Sequence, residues 1–444
     1  MTLSRPARVS VYPGEHAFRG LALAIDPSMT PCGVCTSSGR IGPSFSFGRA
    51  DAATVIAGDY IVSDNDIIAD SDGIYFYVYE IGDYLYDSYF SSHSSSSVTL
   101  GNMLINNNMI ESGSWGISVY WEDVGYDINY DSYVTVGNME ICNNQITGDA
   151  GIYYYNEYLG NSLYEMATLT VGTLDISGNT IDVLGGGIYM EISYLATSIR
   201  DHASMTVGDM HIHNNQILNS DLGIYFDYRN SPSGIYGFAS VKMPNIYTYD
   251  NTVNSTGRGL FIYYYNLGSA VDPTTNFNRG KVEIYDCTFT SASGMFAGSS
   301  NMNPNRIPLI IRDLEFTNTH SAAGTWGIEA SEINHIRVDD STFNGYDNGV
   351  RADEVNLVLV RCTFMGITGI DARSHNAGHL MLVDCPTVDT GNMEIWDTSF
   401  IDIGWILDVR VETPLGHGVP GALVTATSNN TWIESQATTG TDGH

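Results

Sequence analysis

Short runs of alternating hydrophobic and polar residues, separated by Gly, Asn and Asp, fill most of this chain. The segment 134–156 contains three such runs, which begin at Val134, Met139 and Ile152. Alternation with a period of two over so few residues is typical of half-buried strands and not of helices. Gly, Asn and Asp at the breaks tolerate the backbone conformations that corners need. The sequence therefore predicts three short strands separated by corners within this segment.

The same pattern recurs along the chain at a nearly constant interval. An Asn stands two residues before an Ile or Val in five successive units, at Asn108, Asn144, Asn179, Asn215 and Asn251. The steps between these residues are 36, 35, 36 and 36, and a Gly-aliphatic pair follows at the same spacing. Features locked in phase indicate one structural unit used repeatedly. We expect each unit to form one turn of a β-solenoid, in which the Asn side chains stack as an amide ladder and the inward aliphatic residues form the core.

The repeat continues in altered form on both sides of these five units. Asn65 opens the series, and Cys287 lies 36 residues after Asn251 in the same slot. Later units shorten to between 21 and 27 residues, so we count about ten turns in all. The long units carry extra residues after the Gly-aliphatic strand, for example 157–168. We expect these inserts to project as loops or hairpins on one side and to stack beside each other.

The repeats resemble those of a known fold family. The repeat of right-handed parallel β-helices in the pectate-lyase-like superfamily, of the PbH1 type, is similar to segments such as MEICNNQITGDAGIYY and MHIHNNQILNSDLGIYF. The resemblance covers roughly residues 54–406 and implies an all-β, right-handed parallel β-helix. Members include polysaccharide lyases, hydrolases, epimerases, adhesins and surface-layer proteins, so the resemblance predicts the fold and leaves the function open.

The residues outside the repeat predict two smaller regions. Residues 1–50 are rich in Gly, Pro and Ser and are expected to cap a β-helix that spans residues 51–406. The repeat is lost in residues 407–444, which resemble the start of a carboxypeptidase-regulatory-like or Ig-like β-sandwich. Such modules normally continue for several strands, so we expect a partial module of a longer protein. They often follow β-helices in secreted proteins, which implies an extracellular or cell-surface location.

The charge balance narrows the range of partners. The chain has 50 Asp and Glu residues against 18 Lys and Arg residues, a net charge of −32. Phosphate binding needs Lys and Arg, so we expect neither nucleic acid nor an anionic membrane as a partner. No window approaches about 18 continuous apolar residues, so we expect no transmembrane segment. Divalent-cation binding, adaptation to high salt and simple solubility all fit the acidity, and the oligomeric state is left open.

The six cysteines are too few for a disulfide scaffold. Cys32 and Cys35 form a single CxxC pair without His partners, which favours a local disulfide or free thiols over a zinc site. Cys362 and Cys385 occupy matching slots in successive units. A disulfide between these two residues is therefore geometrically possible.

The patterns that would indicate catalysis are incomplete. A hydrolase of the polygalacturonase kind would carry an Asp-Asp pair, a Gly-His-Gly and an Arg-x-Lys in order. The chain has Asp339, Asp340 and the Gly-His-Gly of residues 416–418, but no Arg-x-Lys follows. Arg337 and Arg361 are predicted to lie near the two aspartates. These four charged residues are the best catalytic candidates, although an ordinary surface ion-pair network is the favoured interpretation.

One group of carboxylates suggests a cation site. Asp64, Asp70 and Asp72 could gather around one bend, and calcium favours such oxygen-rich turns. A calcium-dependent lyase would also need a basic residue close by, and none lies nearby in the sequence. We expect no required cofactor, with Ca²⁺ as the one ion that the sequence could accommodate.

Aromatic residues form the clearest candidate site. They occupy predicted outward positions after the Gly-aliphatic pairs, at Tyr75, Tyr77, Tyr120, Tyr153, Tyr155, Tyr189, Tyr225 and Tyr263. Tyr offers a flat apolar face with a polar tip, which suits stacking on sugar rings or contact with another protein. Alternatively, the Tyr-rich inserts fold back and bury these rows as a second core.

These observations favour a non-catalytic, secreted or cell-surface protein with a structural or adhesive role, whose tyrosine-lined strands bind polysaccharide or other surface proteins. The alternative is an extracellular polysaccharide lyase or glycoside hydrolase that acts on acidic polysaccharide. Analogy with the family also allows a periplasmic accessory protein for metal maturation.

Overall fold

A computed structural model describes residues 54–81, 96–129, 131–232, 234–265, 271–300, 309–319, 323–333 and 336–405. It also describes Thr413, Val419, four N-terminal strands and two C-terminal strands. The described residues are nearly all β, and their one helical element is a 3₁₀ turn at Thr390–Asn392. The chain divides into two compact units, residues 1–402 and residues 403–444.

Three long sheets carry most of the strands. Sheet I has 19 strands: Val9–Val11, Cys35–Ser37, Ser44–Phe47, Asp66–Ala69, Ile74–Ile81, Met109–Glu122, Gln145–Glu157, Thr180–Val183, Gly186–Ser193, Gln216–Arg229, Thr252–Tyr265, Thr288–Ser300, Glu315–Thr317, Trp326–Ser331, Thr342–Asn344, Asn348–Asp353, Thr363–Met365, Ala372–His375 and Met393–Ile395. Sheet II has 12 strands: Tyr60–Ser63, Met103–Asn106, Met139–Cys142, Leu174–Ser177, Met210–His213, Ile246–Tyr249, Val282–Tyr285, Leu309–Arg312, Ile336–Asp339, Asn356–Val360, His379–Val383 and Phe400–Gly404. Sheet III has eight strands: Ala22–Ile25, Thr54–Ala57, Ser97–Leu100, Tyr133–Val136, Thr168–Val171, Ser204–Val207, Ser240–Lys242 and Asn276–Asn278.

Each repeat unit contributes to the three sheets in the same order. In one unit the strand Tyr133–Val136 joins sheet III, Met139–Cys142 joins sheet II and Gln145–Glu157 joins sheet I. Strands pair in parallel with the equivalent strand of the next unit, so that Met139 faces Leu174. The third strand is longer than the sequence predicts, because it continues through the Gly-rich stretch, where its pairing register with the preceding strand shifts. The all-β, parallel architecture predicted from the alternation is confirmed.

The repeated asparagines stack as a buried amide ladder. Each ladder Asn donates its backbone N–H and its Nδ2 to the Oδ1 of the Asn in the next unit, at 2.9–3.1 Å. The second Nδ2 hydrogen goes to a backbone carbonyl, for example from Asn179 to Ile141 at 2.8 Å. Asn65 caps one end by donating to Asn108, and Asn251 lies 3.7 Å from the Cys287 sulfur at the other end. The ladder therefore ties successive units together at one corner.

The residue before each ladder Asn explains why Asn, Gly and Asp fill this corner. It has a left-handed backbone, with φ of 56° at Asn143, 64° at Gly178 and 53° at Asp250. Side chains other than Asn and Asp, and especially β-branched ones, are strained there. The dipeptides Asn-Asn, Gly-Asn and Asp-Asn in the sequence thus encode a corner followed by a ladder position.

Inward side chains from all three sheets form one continuous hydrophobic core. Ile105, Ile152 and Val134, for example, are fully buried. In the shorter units a stack of phenylalanine rings, Phe289, Phe316, Phe343 and Phe364, continues this core, with ring centroids 4.6, 5.1 and 5.2 Å apart. Equivalent residues therefore pack on each other along the stack, as the repeat predicts.

The inserts of the long units stack on one another. Ser162–Leu163 pairs in parallel with Ser198–Ile199, and parallel bridges join Ile128 to Leu163 and Ile199 to Ile235. Leu159 and Leu195 in these inserts are fully buried. The inserts thus extend the core sideways, and they leave the outward tyrosines of sheet I partly exposed.

The two ends of the chain are described only in part. Four strands within residues 1–50 join the sheets, so the segment predicted as a cap also contributes strands to the stack. Cys32 lies outside the described residues and the side chain of Cys35 is not described, so the prediction for this pair is untouched. In the second unit Leu423–Thr427 and Glu434–Thr438 pair in an antiparallel manner.

Candidate functional site

The outward tyrosines lie on adjacent strands of sheet I. Together with three further aromatic residues they form a surface that we call the aromatic face. Its members are Tyr75, Tyr77, Trp115, Tyr120, Tyr153, Tyr155, Tyr189, Tyr225, Phe261, Tyr263 and Phe296. Alternation along each strand places them there: Ile152 and Tyr154 point into the core, and Tyr153 and Tyr155 point outward and are partly exposed. In-register pairing then aligns Tyr153 with Tyr189 of the next unit. The structure therefore brings the predicted rows together on one surface.

One half of the aromatic face is a closed stack. The ring centroids of Tyr189 and Tyr225 lie 4.1 Å apart at an interplanar angle of 14°. Phe261 continues the stack at 4.7 Å and 9°, and Phe296 follows at 4.7 Å and 23°. Rings stacked in this way cover each other's faces, so this half stabilises the sheet and offers mainly ring edges to a ligand.

The other half is open because a small residue interrupts the row. Ser118 occupies the slot between Tyr75 and Tyr153, and it is fully buried. Tyr120 from the neighbouring row packs instead against Tyr75 at 5.2 Å and against Tyr153 at 5.3 Å and 72°. Its contact with Tyr155 is also close to edge-on, at 5.7 Å and 61°. An edge-to-face contact covers one face of one ring only, and the tyrosines of this half are partly exposed.

Trp115 borders this open half, and the tyrosine pattern did not reveal it. Its ring lies 5.2 Å from Tyr153 at 27° and 6.1 Å from Tyr189 at 72°. The equivalent positions in the next two units hold Ala150 and Gly186, and a Cβ on Gly186 would lie 3.1 Å from the Trp115 ring. In the sequence, this ring is marked by a large residue at one repeat position, followed by small residues at the same position of the next two units.

Carboxylates lie among the open rings. Tyr77 donates a hydrogen bond to Glu122 at 2.5 Å, and Tyr155 donates to Glu157. Glu122 and Glu157 are register partners on adjacent strands. Burial, followed by the hydrogen bond and charge of the neighbouring glutamate, raises the pKa of both tyrosines well above the usual range. Each phenol therefore stays protonated and serves as a donor.

A second carboxylate pair adjoins the first, on the next two units. Glu191 accepts a hydrogen bond from Tyr153 at 3.3 Å, and its register partner Asp227 accepts from Tyr225 at 3.2 Å. Arg229 binds Asp227 through Nε at 2.7 Å and lies 3.6 Å from Glu191. Burial raises the pKa of Glu191, with Arg229 opposing the shift and Asp227 adding to it.

Tyr263 and the remaining predicted residues lie away from this open half. Tyr263 aligns with Asp227 and is partly exposed. Arg337 pairs with Asp339 at 2.9 Å, and Arg361 pairs with Asp340 at 2.5 Å. These four charged residues lie at one corner of the short units as ion pairs, and the arginine beside Asp340 holds the pKa of that carboxyl below its usual range. The geometry matches the ion-pair interpretation of these residues.

The three aspartates near the first units do not gather around one point. Asp72 is buried and faces the Trp115 backbone N–H at 3.4 Å, whereas Asp64 and Asp70 are exposed. In the part of the chain that the structure describes, no three His, Cys, Asp or Glu side chains are arranged to hold a metal ion. Calcium binding by these aspartates stays a prediction.

The paired cysteines of the short units are free thiols. Cys362 is buried, and its thiol donates to the Val338 carbonyl at 3.4 Å. Cys385 is partly exposed. The Cys362 thiol can donate instead to the Cys385 sulfur, and this hydrogen bond lowers the pKa of Cys385. A disulfide between the two residues is not formed.

Comparison with known proteins finds similarity at the N terminus. The family model described as AbpE bacteria matches residues 1–66. Proteins named UPF0280 from Methanocella arvoryzae, Methanosarcina barkeri and Methanothrix thermoacetophila are 51%, 45% and 51% identical over 59, 60 and 59 residues. These matches cover 13%, 14% and 13% of this chain, which spans only 24%, 24% and 25% of those relatives. No solved structure matches the chain.

The matched segment ends before the aromatic face begins at Tyr75, so the similarity does not bear on that face. It does include the strands Thr54–Ala57 of sheet III and Tyr60–Ser63 of sheet II. Among the described residues no helix has the length and apolar character that crossing a membrane requires.

Proposed function

We propose that the chain forms a right-handed parallel β-helix of the pectate-lyase-like, PbH1-repeat type, and that it is secreted or displayed at a cell surface. The in-register parallel sheets and the buried Asn ladder support this fold. The location rests on the resemblance of residues 407–444 to modules that often follow β-helices in secreted proteins. The proposed β-helix covers residues 51–406 and takes in the strands of residues 1–50 that join its sheets, and residues 407–444 belong to a sandwich-like module.

We further propose that the protein is non-catalytic and adhesive, and that it binds carbohydrate through the open half of the aromatic face. The observation that carries this proposal is the interrupted ring row, in which Tyr120 meets Tyr153 and Tyr155 nearly edge to face and all three rings stay partly exposed. Pyranose rings pack their C–H faces on such surfaces, while neighbouring carboxylates accept hydrogen bonds from sugar hydroxyls. A stiff solenoid can repeat these contacts along an extended polymer.

Binding to sugar oligomers tests this function directly. Tryptophan fluorescence and calorimetry with cello-, manno-, chito- and galacturono-oligosaccharides should reveal at least one ligand. Tyr155→Ala should lower the affinity for that ligand by about fivefold to tenfold, the value expected for loss of one aromatic contact. Tyr285→Ala is the matched control, because Tyr285 is also partly exposed and stacked, 5.2 Å from Tyr249, but lies on sheet II. Equal effects of the two substitutions, or no binding to any oligomer, would refute the proposal.

A second candidate function is polysaccharide cleavage, which the Glu191–Asp227 pair favours. The two carboxylates are register partners in unlike surroundings: Asp227 is fully buried and held by Arg229, whereas Glu191 has a raised pKa. Two neighbouring carboxyl groups in unlike surroundings are typical of acid–base pairs. Release of reducing ends or unsaturated uronates by the wild-type protein, abolished in Glu191→Gln, would establish an enzyme and displace the adhesive role.

A further inference from the structure

The charge of the chain is strongly segregated along the sequence. Between residues 50 and 199 there are 21 Asp and Glu residues and no Lys or Arg, and the first basic residue after this stretch is Arg200. The open half of the aromatic face lies within this stretch. Long segments of one sign create a potential that concentrates ions of the opposite sign near the surface. The units that carry the open rings therefore attract cations.

Carboxylates without a cationic partner lie directly beside the open rings. Glu122 and Glu157 face each other on adjacent strands. Within the described residues neither forms an ion pair, and their tyrosine partners are neutral donors. Like charges opposite each other on neighbouring strands destabilise a sheet. A ligand that brings a positive charge between these two carboxylates would remove this repulsion.

The one arginine near this cluster does not neutralise it. Arg229 is committed to Asp227, which is fully buried, and it lies 3.6 Å from Glu191. One guanidinium thus serves two carboxylates, and Glu122 and Glu157 lie on the preceding units. The raised pKa of Glu191 agrees with a carboxylate that is under-neutralised as well as buried.

We propose, as an extension of the carbohydrate-binding function above, that the ligand is a polymer of cationic amino sugars. Its protonated hexosamine rings pack on Tyr120, Tyr153 and Tyr155. Their ammonium groups bind Glu122 and Glu157. An ammonium group gains hydrogen bonds to the carboxylates and a cation–π contact with the tyrosine rings. An N-acetylated sugar lacks the charge, and a uronate is repelled by the acidic surface. The site therefore discriminates by charge at the amino position.

Calorimetry at fixed pH and ionic strength with fully deacetylated glucosamine hexamer, its N-acetylated counterpart and cellohexaose tests the proposal. The deacetylated hexamer should bind about tenfold more tightly than either neutral oligomer, since carboxylate and cation–π contacts each contribute. Added salt should reduce this difference. A hexamer with permanently charged trimethylammonium groups should keep its preference over cellohexaose at pH values where the deacetylated hexamer loses its protons and its preference.

Variants separate the specific site from a general acidic surface. The pair Glu122→Gln and Glu157→Gln keeps an acceptor for each tyrosine and should abolish the preference for the deacetylated hexamer over cellohexaose. Glu140→Gln is the matched control, because Glu140 is an exposed carboxylate of the same acidic stretch on sheet II. It should leave the preference intact.

Three results would overturn this inference. If cellohexaose binds as tightly as the deacetylated hexamer and both depend on Tyr155, the carbohydrate function stands and the charge preference fails. If spermine or oligolysine competes fully and Tyr120→Ala and Tyr155→Ala leave binding unchanged, the attraction is electrostatic only. If no oligomer binds, the proposed function fails together with this extension.

Discussion

Removal of one rung of the buried Asn ladder is the most direct test of how the units hold together. Asn179 accepts hydrogen bonds from the backbone N–H of Asn144 at 2.9 Å and from its Nδ2 at 3.0 Å. It donates through Nδ2 to the Ile141 carbonyl at 2.8 Å and to Asn215 at 2.9 Å. Asn179→Ala therefore removes four hydrogen bonds at a position that is 1% exposed.

The magnitude follows from the groups that the substitution leaves unpaired. Each net hydrogen bond contributes about 1 kcal/mol, and a buried donor without a partner costs about 1–3 kcal/mol. The Asn144 N–H and the Ile141 carbonyl both lose a side-chain partner inside the stack. We therefore expect Asn179→Ala to lower the free energy of unfolding by about 4 kcal/mol.

Urea denaturation followed by far-ultraviolet circular dichroism measures this loss, and amide hydrogen exchange at Asn144 locates it. Asn138→Ala is the matched control: Asn138 is exposed and accepts one hydrogen bond, from the Thr173 N–H at 3.0 Å, which water can replace. Asn138→Ala should lower the free energy of unfolding by less than about 1 kcal/mol. If both substitutions cost the same and Asn144 exchange is unchanged, the ladder does not stabilise the stack and the reasoning is wrong.

Three further predictions follow from close packing and thiol chemistry. Gly137→Ala should lower the free energy of unfolding by about 1–3 kcal/mol, because the added Cβ would lie 2.6 Å from the Gly101 carbonyl; an unchanged urea midpoint would contradict this. Phe316→Ala should cost about 3–5 kcal/mol in the same assay, because it leaves a cavity in a ring stack, and a loss near zero would show that the stack collapses freely. Ellman's reagent should label Cys385 before the buried Cys362, because a hydrogen bond from Cys362 lowers the pKa of the Cys385 thiol. Cys362→Ala should therefore slow the labelling of Cys385 near neutral pH.

The sequence predicted which tyrosines form the aromatic face, but it did not predict which of their rings stack on each other. The spacing after each Gly-aliphatic pair placed the tyrosines in rows, and period-two alternation placed them outward. Which rings stack and which stay open depends on Ser118, whose small side chain breaks the row so that Tyr120 crosses into it. Trp115 and the Glu122–Glu157 pair gain their roles only from neighbours that are a full unit away in the chain.

The sequence by itself determined the repeating unit, the all-β class and the identity of the ladder residues. These features depend on local rules: alternation selects strands, and left-handed corners select Asn, Gly or Asp at positions such as Asn143 and Gly178. The tertiary structure decided the register between units, the partners of each carboxylate and the burial of the inserts. The physical reason is that hydrogen bonds and ring contacts between units join residues about 36 positions apart, so their geometry depends on how whole units stack and not on any single segment.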